Sequence, residues 1–351
     1  MITYSGMIPY ATGVRRRLIK GKRSGYLARC VLLLGMLLSG CDDGKPPAQS
    51  VTPAPTAGWP RTLQTLKGPL TLSTQPKRIV STSVTVSGTL LAIQAPLVGS
   101  GATAPHTVVS DDQGFFNQWS AEARKRDVKP LYITEPNAEA IAAAAPDLII
   151  ISATGGDSAM KLYDQLSVIA PTLVVNYGDK SWQQLAEQLG SATGHEDDAR
   201  QITTQFDQRV LAVKQAIQLP PQPVSALVYY EDGRGVNLWT RASAQGQLLT
   251  ELGFELAELP DAIQTGLQQG KRQDILQISG ENLAASLNGR SLLLFATDDA
   301  TVEQVIKNPF LSHLEPVQQR QIWSMGTDTF RLDYYSASNM LDRIEQHFRR
   351  R

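Results

Sequence analysis

The chain is poor in the residues that build most enzyme centres. It has two cysteines, Cys30 and Cys41, and four histidines, His106, His195, His313 and His347. No histidine stands in an HExxH frame, no serine in a GxSxG frame, and no Cys/His cluster has metal-ligand spacing. The glycine-rich stretch 152–158, SATGGDS, lacks the Gly-Lys-Ser/Thr ending of a phosphate-binding loop. These absences argue against a catalytic nucleophile–base set, a resident metal and a nucleotide site. An apolar run long enough to span a bilayer, about 20 residues, is also lacking.

Net charge is lacking too, but only as a sum. The first 40 residues carry Arg15, Arg16, Arg17, Lys20, Lys22, Arg23 and Arg29 and no acidic residue, leaving 26 basic against 33 acidic residues over 41–351. An acidic body disfavours nonspecific binding to nucleic acid, which needs a basic face.

The basic stretch precedes the apolar run Val31–Leu38, which fits the core of an export signal. Met7 is an alternative start. Leu38-Ser39-Gly40-Cys41 then resembles a bacterial lipobox, which implies cleavage before Cys41 and its lipidation, with ordinary cleavage beside an incidental cysteine as the alternative. Several acyl chains would anchor the protein stably. Cys30 would leave with the signal, so no pair remains for a disulfide even in an oxidising compartment. Asp42 resembles an inner-membrane retention signal, which points to the outer face of the inner membrane. The Pro/Ala/Thr-rich stretch 42–58 reads as a tether that at about 3 Å per residue reaches roughly 50 Å.

From Trp59 the pattern alternates strand and helix. Segments 78–83, 97–101, 147–154 and 172–177 read as strands, with helices over 137–145, 158–168 and 181–190. In 195–218 the residues Ala199, Ile202, Phe206, Val210, Val213 and Ile217 recur at steps of three or four, predicting one long helix that stops before Pro220-Pro221. The alternation then restarts with a strand at 225–230, a helix near 244–252, a strand at 291–297 and a last helix at about 335–348. The expected fold is α/β, two lobes joined by a single long rigid helix. The expected organisation is a signal over 1–40, a tether over 41–58, an N-terminal lobe over 59–194, a linking helix over 195–219 and a C-terminal lobe over 220–351. A faint repeat pairs 136–154 with 278–297, each with a cap residue (Asn137, Ser279) followed two places later by Glu139 or Glu281. Local helix-start chemistry explains each glutamate alone.

The stretches QPKRIVSTSVTVSGTLLAI (75–93), DLIIISATGGDSAMKLYDQLSVIAPTLVVNY (147–177), SAQGQLLTELGF (243–254) and GTDTFRLDYYSA (326–337), with the long helix between two lobes, resemble the siderophore-binding proteins of bacterial ABC importers. The resemblance spans essentially 59–348. It implies a non-catalytic protein, by default a monomer, that holds a ferric catecholate siderophore, ferric enterobactin above all, in the cleft between lobes. It further implies delivery to an inner-membrane permease dimer, with Glu139 and Glu281 docking against it. Iron would arrive inside the chelate, so no protein metal ligand or cofactor is implied. A hydroxamate siderophore, haem or cobalamin is the alternative cargo; a siderophore-processing enzyme or a ligand-loaded sensor partner is the alternative class.

A trianionic, flat-ringed guest calls for cations and aromatic walls, because a buried anion without partners is costly and arginine stacks on aromatic faces while staying charged. Arg331 in DTFRLDYY is the first candidate contact; its plain alternative is an ion pair with Asp328 or Asp333. Trp239, after a strand, is the next, against a core role. Lys271 and Arg272 form a basic pair in a Gly/Gln-rich loop, and Tyr334, Tyr335, Tyr230 and Arg234 are further candidates. In the N-terminal lobe, 82–88 and 152–158 are expected to be loops whose glycines permit close approach. The loop 103–114 offers His106 but no lysine or arginine, a departure from the cationic pattern of the family.

Overall fold

The structure, a computed structural model, describes residues 58–230, 235–260, 263, 274–278 and 282–350. The first described elements form a feature the sequence reading did not anticipate, an antiparallel hairpin of β1 (Arg61–Thr65) and β2 (Gly68–Leu72). Gly68 takes φ +99°, which the tight return needs. Arg61 ties the hairpin down by reaching the carbonyl of Ser191 at 2.6 Å, pairing with Glu196 and stacking on Trp59.

The N-terminal lobe follows as β3 (Ile79–Ser81), α1 (Val84–Ala92), β4 (Leu97–Ala102), α2 (Asn117–Lys125), β5 (Lys129–Ile133), α3 (Ala138–Ala143), β6 (Leu148–Ser152), α4 (Tyr163–Ile169), β7 (Thr172–Val175) and α5 (Trp182–Thr193). Its sheet is parallel with the order β5-β4-β3-β6-β7. The buried run Leu-Ile-Ile-Ile-Ser of β6 reads as a strand covered on both faces, which parallel sheets require. The chain starts at the central β3 and winds outward both ways, so the order reverses between β3 and β6. Crevices at such reversals, beyond the carboxyl ends of the strands, are where open α/β sheets place ligands.

Segment 82–88 is not a loop. Ser83 caps α1 by accepting from the Val86 N–H, and residues 84–88 are its first turns. The β-branched run Val-Thr-Val hid a helix that burial stabilises. Gly88 approaches closely not a guest but protein: a Cβ there would lie 2.6 Å from Trp119 and 2.8 Å from Asp333 Oδ2.

The helix α6 (Glu196–Ala216) leads to the second lobe. Three acids occupy its first turn and Lys214 its last, matching the helix dipole. Ala199, Ile202, Phe206, Val210 and Val213 are buried, and Ile217 is already extended. The C-terminal lobe comprises β8 (Val224–Tyr230), β9 (Gly235–Trp239), α7 (Ala244–Leu252), β10 (Ile275–Ile278), α8 (Leu283–Ser286), β11 (Ser291–Leu294), α9 (Asp299–Lys307), α10 (Glu315–Gln318), β12 (Ile322–Ser324) and α11 (Tyr334–Phe348). Its sheet order is β10-β9-β8-β11-β12, with β8, β11 and β12 parallel and β9 antiparallel to both its neighbours. Arg209 of α6 bonds Asp342 at 2.9 Å and Glu345 at 2.5 Å, fastening the linking helix to α11. Among the described residues no helix is long and apolar enough to cross a membrane.

Candidate functional site

A cleft of about 850 Å³ is lined from both lobes. The N-terminal lobe contributes Thr85, Phe116, the 176–182 segment after β7 and the start of α5; the C-terminal lobe contributes Trp239, the cap of α7 and residues 330–333. Its described aromatic walls are Phe116, Tyr177, Trp182, Trp239 and Phe330, and its described cations are Lys180 and Arg331.

Arg331 lies in the loop between β12 and α11, and that loop is fastened at several points. The amide of Gln245 donates to the carbonyls of Thr329 and Phe330, both at 2.9 Å, and Thr329 Oγ1 accepts from the Ala296 N–H at 3.0 Å. The carbonyl of Arg331 itself accepts from Ser336 Oγ at 3.2 Å. The backbone is thereby fixed while the side chain is exposed. The expected alternative of an ion pair is not realised. Asp328 pairs with Arg343 at 2.6 Å, and Asp333 caps α11 by accepting from the Ser336 N–H at 2.8 Å. Instead the guanidinium of Arg331 stacks 4.7 Å from the ring centre of Tyr177, across the cleft in the other lobe. Tyr177 donates to Asp157 at 2.8 Å. Burial first, and Asp157 second, push its phenol up to about 12, with Arg331 opposing.

Trp239 is both wall and core. It ends β9, opposite Ile275 of β10, is 6% exposed, and meets Phe330 edge-on at 5.6 Å while its other neighbour is Phe295. Its Nε1 and the Oγ1 of Thr89, both in lining residues, are buried without a hydrogen-bond partner. A buried indole N–H normally finds an acceptor, and this one stays unpaired inside the wall of the cleft.

Tyr334 and Tyr335 are not among the lining residues. The capping box of Asp333 and Ser336 starts α11 at Tyr334 and turns both rings away. Tyr334 meets Trp182 at 5.7 Å and Tyr335 at 5.4 Å, closing the seam between lobes. Tyr230 accepts from Asn237 at 2.6 Å and packs on the main core. Glu139 is exposed in the first turn of α3, whose cap Asn137 accepts from the Ala140 N–H. Arg234, Lys271, Arg272, Ser279, Glu281 and Cys41 lie outside the described residues. The loop 103–114 spends its charge locally, Asp111 on Arg124 at 2.6 Å. The cation that the N-terminal lobe brings to the lining of the cleft is Lys180, which the sequence pattern does not single out. It lines the cleft and is held by Asp179 and the Asn176 carbonyl. A lone lysine after a strand carries no pattern that separates it from a solvated one.

Asp333 sits where the lobes meet. It is buried, accepts from Gln118 of α2 at 3.3 Å and has no cation beside it among the described residues. Burial pushes its carboxyl above the usual carboxylate range, with the Ser336 and Gln118 hydrogen bonds opposing and Asp328 adding to the rise. For a group raised on folding, the stabilisation is complete below the unfolded pKa and lost as pH climbs through the folded one. Asp333→Asn, which keeps a capping oxygen, is therefore expected to gain stability over the parent protein as pH rises from the ordinary carboxylate range upward. Paired thermal melts across that range check the sign.

Two five-stranded sheets, one joining helix and a guest-sized cleft with walls from both lobes define a two-lobed solute receptor. The chain belongs to the periplasmic binding protein family, whose model matches residues 79–329. It is 55% identical over 318 residues to the ferric enterobactin-binding periplasmic protein FepB of Escherichia coli O6:H1, covering 91% of this chain and 97% of that one. The crystal structure of holo-ViuP superposes with a TM-score of 0.74 at 35% identity, over 84% of this chain and 96% of that one. Staphylococcus aureus SirA complexed with staphyloferrin B shares the fold, with a TM-score of 0.60 at 19% identity over 82% of this chain and 96% of its own.

Proposed function

We propose that this protein is the periplasmic substrate-binding component of an iron-siderophore ABC importer and that its cargo is ferric enterobactin, held in the cleft as an intact chelate. The observation that carries this is Arg331, an arginine with no carboxylate partner among the described residues, fixed by its backbone and stacked on an aromatic ring at the wall of the cleft. Three negative charges and flat catechol rings are the chemistry such a wall accepts. The 55% identity to FepB supports the same cargo. The described acids in the lining are Asp179, which pairs with Lys180, and Asp274 and Asp333. Three negative charges against two described cations in the lining call for more, and Lys271 and Arg272, three and two places before Asp274 in the chain, are the candidates.

The remaining parts of the reading follow the family. Glu139 and Glu281 dock on the permease dimer, Cys41 carries the lipid anchor at the outer face of the inner membrane, and the receptor works as a monomer without catalysis. The domain bounds proposed are those of the sequence, with the helix linker limiting lobe motion to a small hinge. Titration of tryptophan fluorescence with ferric enterobactin tests the cargo, since Trp182 and Trp239 line the cleft. Saturable quenching by the catecholate, absent with ferrichrome and haemin, is expected; binding of a control alone would overturn the cargo. In the same assay Lys180→Ala is expected to weaken binding by roughly two- to fivefold, the scale of one partly screened ion pair.

A further inference from the structure

Asp157 is absent from the lining of the cleft, yet three groups around the site converge on it. Its Oδ2 accepts from Ser83 Oγ at 2.5 Å and from the Thr85 N–H at 3.1 Å, and its Oδ1 accepts from the Tyr177 hydroxyl at 2.8 Å. The loop that carries it is shaped around that phenol. Gly155 takes φ +90°, and a Cβ there would lie 1.7 Å from the Tyr177 oxygen. This knot sits at the reversal between β3 and β6, and it ends in the ring over which Arg331 lies.

We propose that Asp157 is a positioning residue for the guest site: through its hydrogen bond it fixes and polarises the Tyr177 ring that holds the Arg331 guanidinium facing the cleft. A phenol that donates to a carboxylate carries more negative charge on its oxygen and ring, and a cation above the ring face is held more firmly. The contact also spans the lobes, since Tyr177 follows β7 and Arg331 precedes α11. Asp157 is itself steadied by the N-terminal end of α1, whose Thr85 N–H it occupies. The negative charge thus stays one ring away from the guest, and what the guest meets is the cation.

The inference rests on Arg331 serving an anionic guest, and its sign separates it from three simpler roles. A carboxylate acting only as a like charge would repel the guest, and Asp157→Asn would then tighten binding. Were the carboxylate only a cap for α1, Asp157→Asn would weaken binding equally with and without Arg331. A stack that merely shuts the cleft would make Tyr177→Leu bind better.

The expected results are a loss of roughly three- to tenfold for ferric enterobactin in both Asp157→Asn and Tyr177→Phe, and roughly tenfold in Tyr177→Leu. In an Arg331→Ala background each of these changes is expected to shrink to within about twofold, the mark of a shared interaction. Tightening in any single variant, or losses that persist without Arg331, would overturn the proposal. A readout without guest keeps it apart from the identity of the cargo. In the free protein with nitrogen-15-labelled arginine, the Arg331 Nε–H resonance should be shifted upfield by the Tyr177 ring. That shift should vanish in Tyr177→Leu and decrease in Asp157→Asn. An Arg331 signal indifferent to both substitutions would refute the stack whatever the protein carries. A ring-shifted signal without catecholate binding would leave the stack standing, and the proposed cargo alone would fall.

Discussion

Arg331→Ala is expected to cut affinity for a ferric catecholate by about 2–3 kcal/mol, which is roughly 30- to 150-fold, while hardly moving the melting temperature. The two halves of this expectation come from the same geometry. The side chain is exposed, ion-pairs with no described residue and rests on a single ring. Removing it therefore forfeits about 0.5–1 kcal/mol of cation–π contact in the empty protein. The carbonyl–Ser336 bond and the Gln245 clamp involve backbone and survive the substitution. With an anion in the cleft the same side chain gives charge-assisted hydrogen bonds in a partly desolvated place, where they are strongest. Arg331→Lys should recover part of the loss, because it restores charge but not the planar fork. A neutral hydroxamate chelate, if it binds, should respond several-fold less to Arg331→Ala. Calorimetry against both chelates, with thermal melts of the empty variants, checks all three statements.

Trp119→Ala is expected to do the reverse, costing about 3–5 kcal/mol of stability, a fall of roughly 10 °C in melting temperature. Trp119 is 1% exposed and lies against Phe115 at 5.2 Å and Phe116 at 6.2 Å. It fills the space that Gly88 leaves open, at the place where α1, α2 and the Asp333 cap of α11 come together. A cavity there cannot collapse without moving both lobes, so the cost falls in the range of large aromatic truncations. The indole N–H has no partner, so no hydrogen bond is lost, which favours the lower end. Affinity should fall more modestly, through Phe116, which lines the cleft and leans on Trp119. Urea unfolding monitored by circular dichroism gives the number; a loss below about 1 kcal/mol would mean that the seam is not packed as described.

How much of this was legible in the sequence differs between elements for physical reasons. Buried parallel strands announce themselves, as the apolar run of β6 does, and α6 declares its face by period and its end by the proline pair. The α1 segment, expected as a loop, misled because its β-branched Val-Thr-Val and its serines and glycine are poor helix formers locally, while the Ser83 cap and burial stabilise the helix. The hairpin of β1 and β2 left little signal, because only Leu63, Leu70 and Leu72 among its ten strand residues are apolar. At the site, the cluster around Arg331 was visible, whereas its geometry was not. Phe330, Arg331, Tyr334 and Tyr335 are neighbours in sequence, and the Asp333–Ser336 capping box divides them between cleft and seam. That box is written in the sequence as Asp-x-x-Ser, so the division was recoverable. Tyr177, Asp157 and Lys180 were not recoverable, because their roles depend on contacts between lobes and across a sheet reversal that no local pattern encodes.

An intact ferric catecholate is proposed to sit in this cleft, against Arg331 and Trp239. Crystals grown with ferric enterobactin and measured at the iron absorption edge test it directly. One anomalous peak is expected within the cleft, with the catechol rings against Trp239 and the Arg331–Tyr177 stack. A peak elsewhere on the protein, or a saturated complex in solution whose crystals show the cleft vacant, would contradict it.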